Sequence, residues 1–333
     1  MKDRLHTADR QKKVFVTGAT GFVGGALLKA LSSRGRPCKA LVRRTGKAEA
    51  LRHLNVELVY GNLLDLDSLK EALSDVDVVY HCAGYVKERP LAELMNVNVL
   101  GTKNICEAAL WKGVGKMIYV SSLSVINGNE ERPLREEFPY ATISNYGLSK
   151  IEGEKIALQY RNKGLRVAIF RPSTIYGPGE PHFLDLTARL MKRRWMFVVG
   201  EGKQRWQLVY IGDLVDVLMS AEDREPAFQQ IYNLAGEEIS TRIDVYSEMA
   251  RLLGVGEPWH MPHGLASALA WSSEMLRKSI RMDIPFDRQA LMFLSRDWCC
   301  DISRAKRELD YRPRVGLREG LEKSLAPYGK RLN

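Results

Sequence analysis

Short, nearly continuous apolar runs alternate with stretches of helical periodicity along the first half of the chain. Runs at 14–17, 38–42, 56–60, 78–81, 116–120 and 166–170 predict strands. Between them, 22–33, 68–73, 97–111 and 150–163 carry helical patterns. Strands that are apolar on both faces, alternating with helices, predict an α/β fold with a doubly wound parallel sheet covered on both sides. After about residue 178 the rhythm changes. A helix is predicted at 183–192, strand-like segments at 195–199, 207–210 and 231–234, and a mostly helical pattern beyond 241. The expected organisation is a short disordered basic tail at 1–12 and a nucleotide-binding domain at 13–178, which segments near 207–236 rejoin. A smaller, mostly helical substrate lobe at 179–333 completes it.

The first strand runs into a glycine-rich turn. Gly18, Gly21 and Gly24 stand in a G-x-x-G-x-x-G spacing between the strand Val14–Thr17 and a helix. Glycines there let the backbone approach a pyrophosphate, whose charge sits at the helix N-terminus. This is the context of a Rossmann dinucleotide site, and without that context the triplet is an ordinary strand-to-helix turn. The second strand ends in Arg43 and Arg44 with no acidic residue. An acid would accept from a ribose 2′-hydroxyl, whereas arginine grips a 2′-phosphate, so NADP(H) is favoured over NAD(H). The plainer reading of both arginines is as solvated loop charges.

Tyr146 and Lys150 are four residues apart, and on a helix they share a face. A free tyrosine titrates near pH 10, and a neighbouring ammonium lowers that value by stabilising the phenolate. Ser121 and Ser122 end a predicted parallel strand, where open α/β sheets place ligands. A Y-x-x-x-K pair alone is common by chance. Joined to the glycine turn and a strand-end serine, it predicts a Ser-Tyr-Lys site.

From about Lys13 to Tyr328 the chain resembles the extended short-chain dehydrogenase/reductases, in the NAD-dependent epimerase/dehydratase and 3β-hydroxysteroid dehydrogenase superfamily. The resemblance rests on the turn from Thr17 to Gly24, the stretch from Gly61 to Asp65, and His81 to Gly84. It extends to the stretch from Asn96 to Thr102, Val120 to Ser122, Tyr146 with Lys150, Arg171 to Gly179, Val209 to Asp213, and a C-terminal helix and Tyr-x-Pro ending near Pro313. It implies that Tyr146 is the general acid/base, that Lys150 lowers its pKa and binds the nicotinamide ribose, and that Ser122, rather than Ser121, orients the substrate oxygen. It further implies cofactor contacts at Gly18, Thr20, Gly21, Phe22, Val23 and Gly24, at Asn62 and Leu63, and at Cys82, Ala83 and Gly84. Pro172, Ser173 and Ile175 are implied near the nicotinamide. Members often dimerise through the helices that here carry Asn98 and Tyr146, so a homodimer is expected.

Three departures stand out. Asn62 occupies a position where the family usually has Asp. His81 and Cys82 stand where small or amide residues are common, with Cys82 expected as a small buried residue. The segment after Ser122 departs from that of many sugar-nucleotide enzymes.

Composition narrows the partners. With 45% hydrophobic residues in 333, the chain can bury a sizeable core. Five cysteines without a C-x-x-C pair predict neither a disulfide framework nor a metal site, and a reducing, cytoplasmic setting is expected. The net charge of +10 suits phosphates or anionic lipid, but no nucleic-acid-binding signature is present. No targeting segment is expected in residues 1–12, which are polar and charged, and the longest uncharged stretch, 258–273, is too short to span a bilayer. Leu265, Leu269, Trp271, Met275 and Leu276 form a helical stripe in 259–280. A core-facing stripe is favoured there over a peripheral membrane contact.

The sequence therefore predicts an oxidoreductase exchanging hydride with a small-molecule secondary alcohol or ketone, sterol- or lipid-like. The first alternative is a nucleotide-sugar epimerase, dehydratase or reductase that keeps NAD bound. The second is a non-catalytic NAD(P)-binding scaffold or redox sensor.

Overall fold

The computed structural model describes residues 12–43, 46–87, 89–280 and 286–329; the expected tail, save Lys12, and Arg44 lie outside them. Strand β1 (Val14–Thr17) enters the turn that opens α1 (Phe22–Ser33), followed by β2 (Cys38–Val42), β3 (Glu57–Tyr60) and α2 (Leu66–Ala72). Strand β4 (Val78–His81) precedes α3 (Leu91–Leu94), a π-helical stretch (Met95–Leu100) and α4 (Gly101–Lys112). Then come β5 (Lys116–Val120), α5 (Asn145–Asn162), β6 (Val167–Pro172), β7 (Thr174–Tyr176) and α6 (Phe183–Lys192). They are followed by β8 (Phe197–Val199), β9 (Arg205–Trp206), β10 (Leu208–Tyr210), α7 (Ile211–Ser220) and β11 (Ile231–Leu234). The remainder holds β12 (Ser240–Thr241), α8 (Arg242–Leu253), β13 (Trp259–Met261), α9 (His263–Ile280), α10 (Arg288–Ser295), α11 (Ser303–Leu309) and α12 (Leu317–Gly329).

Seven strands form a Rossmann-like parallel sheet in the order β11-β6-β5-β4-β1-β2-β3. Strands β1, β2, β4, β5 and β6 are buried along their whole length, which is why they read as nearly continuous apolar runs. Edge strand β3 is half-exposed. The winding direction reverses between β1 and β4, and open α/β sheets bind ligands beyond the strand ends at such a point.

Two compact units divide the chain. One comprises the chain up to Val120 with Glu152–Ile169 and Leu218–Gln230; the other comprises Ser121–Ile151, Phe170–Val217 and the chain from Ile231 onward. The two units are interleaved along the chain.

In the first unit a buried carboxylate replaces apolar packing at one point. Glu222, 2% exposed, accepts from Arg36 Nη2 at 3.0 Å and from the Tyr80 hydroxyl at 3.0 Å. Lys116 Nζ donates to its backbone carbonyl at 2.6 Å. Burial, and then the carboxylate, push the Tyr80 phenol well up, so it remains a donor. Replacing Glu222 by alanine leaves that hydroxyl buried without its acceptor. Urea denaturation is expected to show about 2–4 kcal/mol less stability, short of the full cost of breaking an enclosed pair because Arg36 keeps part of its water. Glu222→Gln, which keeps an acceptor, loses less.

The second unit has its core around Trp206, which packs edge-on against Phe183 and Tyr246. Helix α8 starts at a reciprocal capping box between Thr241 and Asp244 and ends at Gly254, whose φ of 65° lets the chain turn away. Helix α9 corrects the expectation for its apolar stripe. The small residues Ala266, Ala270 and Ser273 are buried, while Leu265, Leu269, Trp271, Met275 and Leu276 are exposed. Small residues allow close backbone approach, so this helix packs through its short side chains.

Candidate functional site

On the first unit, the turns that follow β1 and β4 meet at the reversal of the sheet. Gly18 has φ +71°, and a Cβ there would stand 2.7 Å from Ala83 N and 2.8 Å from the Cys82 carbonyl. A Cβ on Gly24, in the first turn of α1, would overlap the Gly18 carbonyl oxygen and lie 2.7 Å from its carbon. Backbone already fills the space that a larger residue would need. Gly21 begins α1 with no side-chain cap, and no acidic residue lies in the first turn. Phe22 and Val23 thus place at this N-terminus the amides that a helix leaves without intrahelical acceptors. Thr20 and Gly21 are exposed at the tip of the turn. A glycine cradle closed to any Cβ, opening on a helix N-terminus, fits a dinucleotide pyrophosphate.

The β4 turn is held by a one-way chain of hydrogen bonds. The Ala83 N–H donates to Thr17 Oγ1 at 3.2 Å, and Thr17 Oγ1 lies 2.7 Å from His81 Nδ1. His81 Nε2 lies 3.0 Å from Thr102 Oγ1, which gives its only proton to the Asn98 carbonyl at 2.7 Å. Thr102 therefore accepts from His81 Nε2, and a ring carrying that single proton accepts from Thr17 at Nδ1. Thr17, His81, Asn98 and Thr102 are all buried, and the imidazole stacks on Tyr119 at 5.3 Å. The Asn98 amide accepts from Tyr85 N–H at 2.8 Å and donates to the Tyr85 carbonyl at 3.0 Å. Cys82 and Ala83 are half-buried and Gly84 is exposed. Cys82 is thus not the enclosed residue expected of it: it is the first residue past β4, where the strand leaves its cover.

Arg43 is exposed just beyond β2, and Arg44 lies outside the described residues. The Asn62 carboxamide oxygen accepts from Leu64 N–H at 3.1 Å, and the Leu63 carbonyl accepts from Asn104 Nδ2 at 2.9 Å. These bonds shape the turn that leads into α2.

On the second unit, Ser122 caps the short turn Leu123–Val125. Its Oγ accepts from Ser124 N–H at 3.2 Å and lies 3.0 Å from Ser124 Oγ. The neighbouring Ser121 is 4% exposed, and its Oγ has no hydrogen-bond partner among the described residues. Tyr146 lies half-buried in the first turn of α5, and Lys150 lies buried one turn further on. Burial pushes the Tyr146 phenol up, and a hydrogen bond with the Ser122 hydroxyl partly offsets this. The net direction is upward. Desolvation outweighs that bond. Tyr146 is accordingly a neutral phenol at neutral pH.

Pro172 ends β6 in buried surroundings. The Ser173 hydroxyl donates to the Gln207 carbonyl at 2.6 Å, and its N–H donates to the Leu234 carbonyl at 2.8 Å, so both donors are spent within the unit. Ile175 is half-buried on β7, opposite Val209. Sequence patterns do not single out Ser124; only its place two residues beyond Ser122 marks it.

Residues 14–235 match the NAD dependent epimerase/dehydratase family. The chain is 28% identical over 320 residues to 4-hydroxy-2-methyl-3-oxo-4-farnesyl-3,4-dihydroquinoline-1-oxide ketoreductase of Stigmatella aurantiaca, covering 93% of this chain and 95% of that protein. It is 29% identical to sterol demethylase protein B of Methylococcus capsulatus, covering 90% and 93%. MoeE5, solved in complex with UDP-glucose and NAD, superposes with a TM-score of 0.76 at 26% identity, covering 96% of this chain and 100% of that one. This chain belongs to the NAD dependent epimerase/dehydratase family, and is an enzyme of the extended short-chain dehydrogenase/reductase type.

Proposed function

We propose that the protein is an NADP(H)-dependent reductase of an apolar ketone, or in reverse a dehydrogenase of the corresponding secondary alcohol. The observation that carries this is the neutral Tyr146 phenol hydrogen-bonded with Ser122, on the helix that carries Lys150. When bound, the reduced nicotinamide supplies the hydride. Ser122 holds the substrate oxygen, and Tyr146 Oη gives that oxygen its proton as the carbonyl carbon is reduced. The reverse reaction returns the proton to Tyr146. Lys150 keeps a positive charge near the phenolate that is left. The similarity to a ketoreductase named for a farnesyl-bearing ketone, and to a sterol demethylase component, supports an apolar substrate.

A second reading is a nucleotide-sugar enzyme with resident NAD, which the similarity to MoeE5 supports. Cofactor choice separates the two. Calorimetric titration is expected to show NADPH bound at least about ten-fold more tightly than NADH, a preference lost in Arg43→Ala/Arg44→Ala because the guanidinium grip on the 2′-phosphate is gone. A preference for NADH, or NAD that copurifies and will not exchange, would overturn the reductase reading in favour of the second.

A further inference from the structure

We infer that the outward face of α9, together with Trp259, is a surface anchor that lies in the headgroup layer of an anionic membrane. This goes beyond the reaction proposed above and does not depend on it.

Helix α9 turns Ala266, Ala270 and Ser273 inward and leaves Leu265, Leu269, Trp271, Met275 and Leu276 between 42% and 58% exposed. At 3.6 residues per turn, these five positions fall within one arc of roughly 160°. Trp259, four residues before the helix, is 68% exposed. Scattered apolar side chains on a surface need no explanation, but a continuous arc carrying a tryptophan does. Among the described residues no helix is long and apolar enough to cross a membrane. The arc suits a helix that lies in the interface plane.

Charge identifies the surface it meets. The sequence of α9 holds one acidic residue against two basic ones, Arg277 and Lys278. Beside its start, the Trp259 indole N–H donates to the Arg194 carbonyl at 3.1 Å, and Arg193 lies over the Trp195 ring at 5.8 Å. Trp195, Arg193 and Arg194 are exposed. An indole with a guanidinium over its ring, beside a second exposed indole, matches the boundary between acyl chains and anionic headgroups. A second copy docking face to face would bring the same cations towards each other, which disfavours that occupant.

The test is flotation of the full-length protein, without substrate or cofactor, with vesicles of phosphatidylcholine alone and of phosphatidylcholine with phosphatidylglycerol. The protein is expected to float with the mixed vesicles, more weakly with neutral ones, and less as salt rises. Leu269→Glu/Trp271→Glu should lower the vesicle-bound fraction about ten-fold or more. Both side chains are exposed, so the variant should melt like the wild type; should it unfold, Leu269→Ser/Trp271→Ser replaces it with the same expected direction. The inference is overturned if the wild type stays with the soluble fraction, if the folded variant floats as well as the wild type, or if the face only supports a dimer that the variant dissociates.

Discussion

Replacing Tyr146 by phenylalanine is expected to lower turnover by about 10²–10⁴-fold, the usual contribution of a positioned acid or base. Phenylalanine keeps the ring and its packing and removes one oxygen, so the loss should fall on the chemical step. Dinucleotide affinity, read by calorimetry, should change by less than about three-fold. The pH dependence has a definite sign. Burial holds the Tyr146 proton above the ordinary phenol range, with the Ser122 bond working against it. Ketone reduction, which needs the protonated form, should stay level through neutrality and fall at alkaline pH. Alcohol oxidation, which needs the phenolate, should rise over the same range. If the phenylalanine enzyme turned over within a few-fold of the wild type, Tyr146 would not be the proton donor.

Gly24→Ala is expected to be a strongly damaging single-methyl change on the cofactor side. The added carbon overlaps the Gly18 carbonyl oxygen and meets the Ala19 amide nitrogen at 3.2 Å. Both neighbours are backbone, so relief requires α1 to back away from the turn. Thermal or urea unfolding should show a loss near the upper end of the about 1–3 kcal/mol typical of overpacking. Dinucleotide affinity should fall with it, because the displaced turn also presents the helix amides. Gly25→Ala is the comparison: its Cβ would meet a single backbone atom, Ala19 O, at 3.3 Å. A small effect there beside a large one at Gly24 would show that the clash with the turn, rather than any change in helix propensity, is responsible. Equal effects at the two positions would sink the argument.

The buried strands are the part of the fold most legible in sequence. β1, β2 and β4 carry nearly continuous apolar runs because helices cover both faces, and their limits are those that the runs predict. Helices α1 and α6 are also readable end to end. The π-helical stretch at Met95–Leu100 is not, since a slightly wider turn leaves the apolar spacing almost unchanged. Two-residue strands such as β9 and β12 are too short to show any period. The stripe on α9 shows a different limit. Periodicity reports that a helix has two faces, whereas packing decides which is covered, and here two alanines and a serine outcompete three leucines. At the candidate site, the spacing of Tyr146 and Lys150 and the strand-end serine are visible in the sequence. Desolvation of the phenol is not, because it depends on what the fold places around it.

The hydrogen bonds through His81 give that departure from the family pattern a simple meaning. A singly protonated ring that donates from Nε2 to Thr102 offers one proton there and one lone pair at Nδ1. A carboxamide offers the same two, oxygen towards one neighbour and nitrogen towards the other. His81 is therefore a synonym for the amide residues common at this position: it keeps the grammar of the contact while changing its vocabulary. The meaning is held by Thr102, whose proton is committed elsewhere and so leaves the sentence only one way to be read.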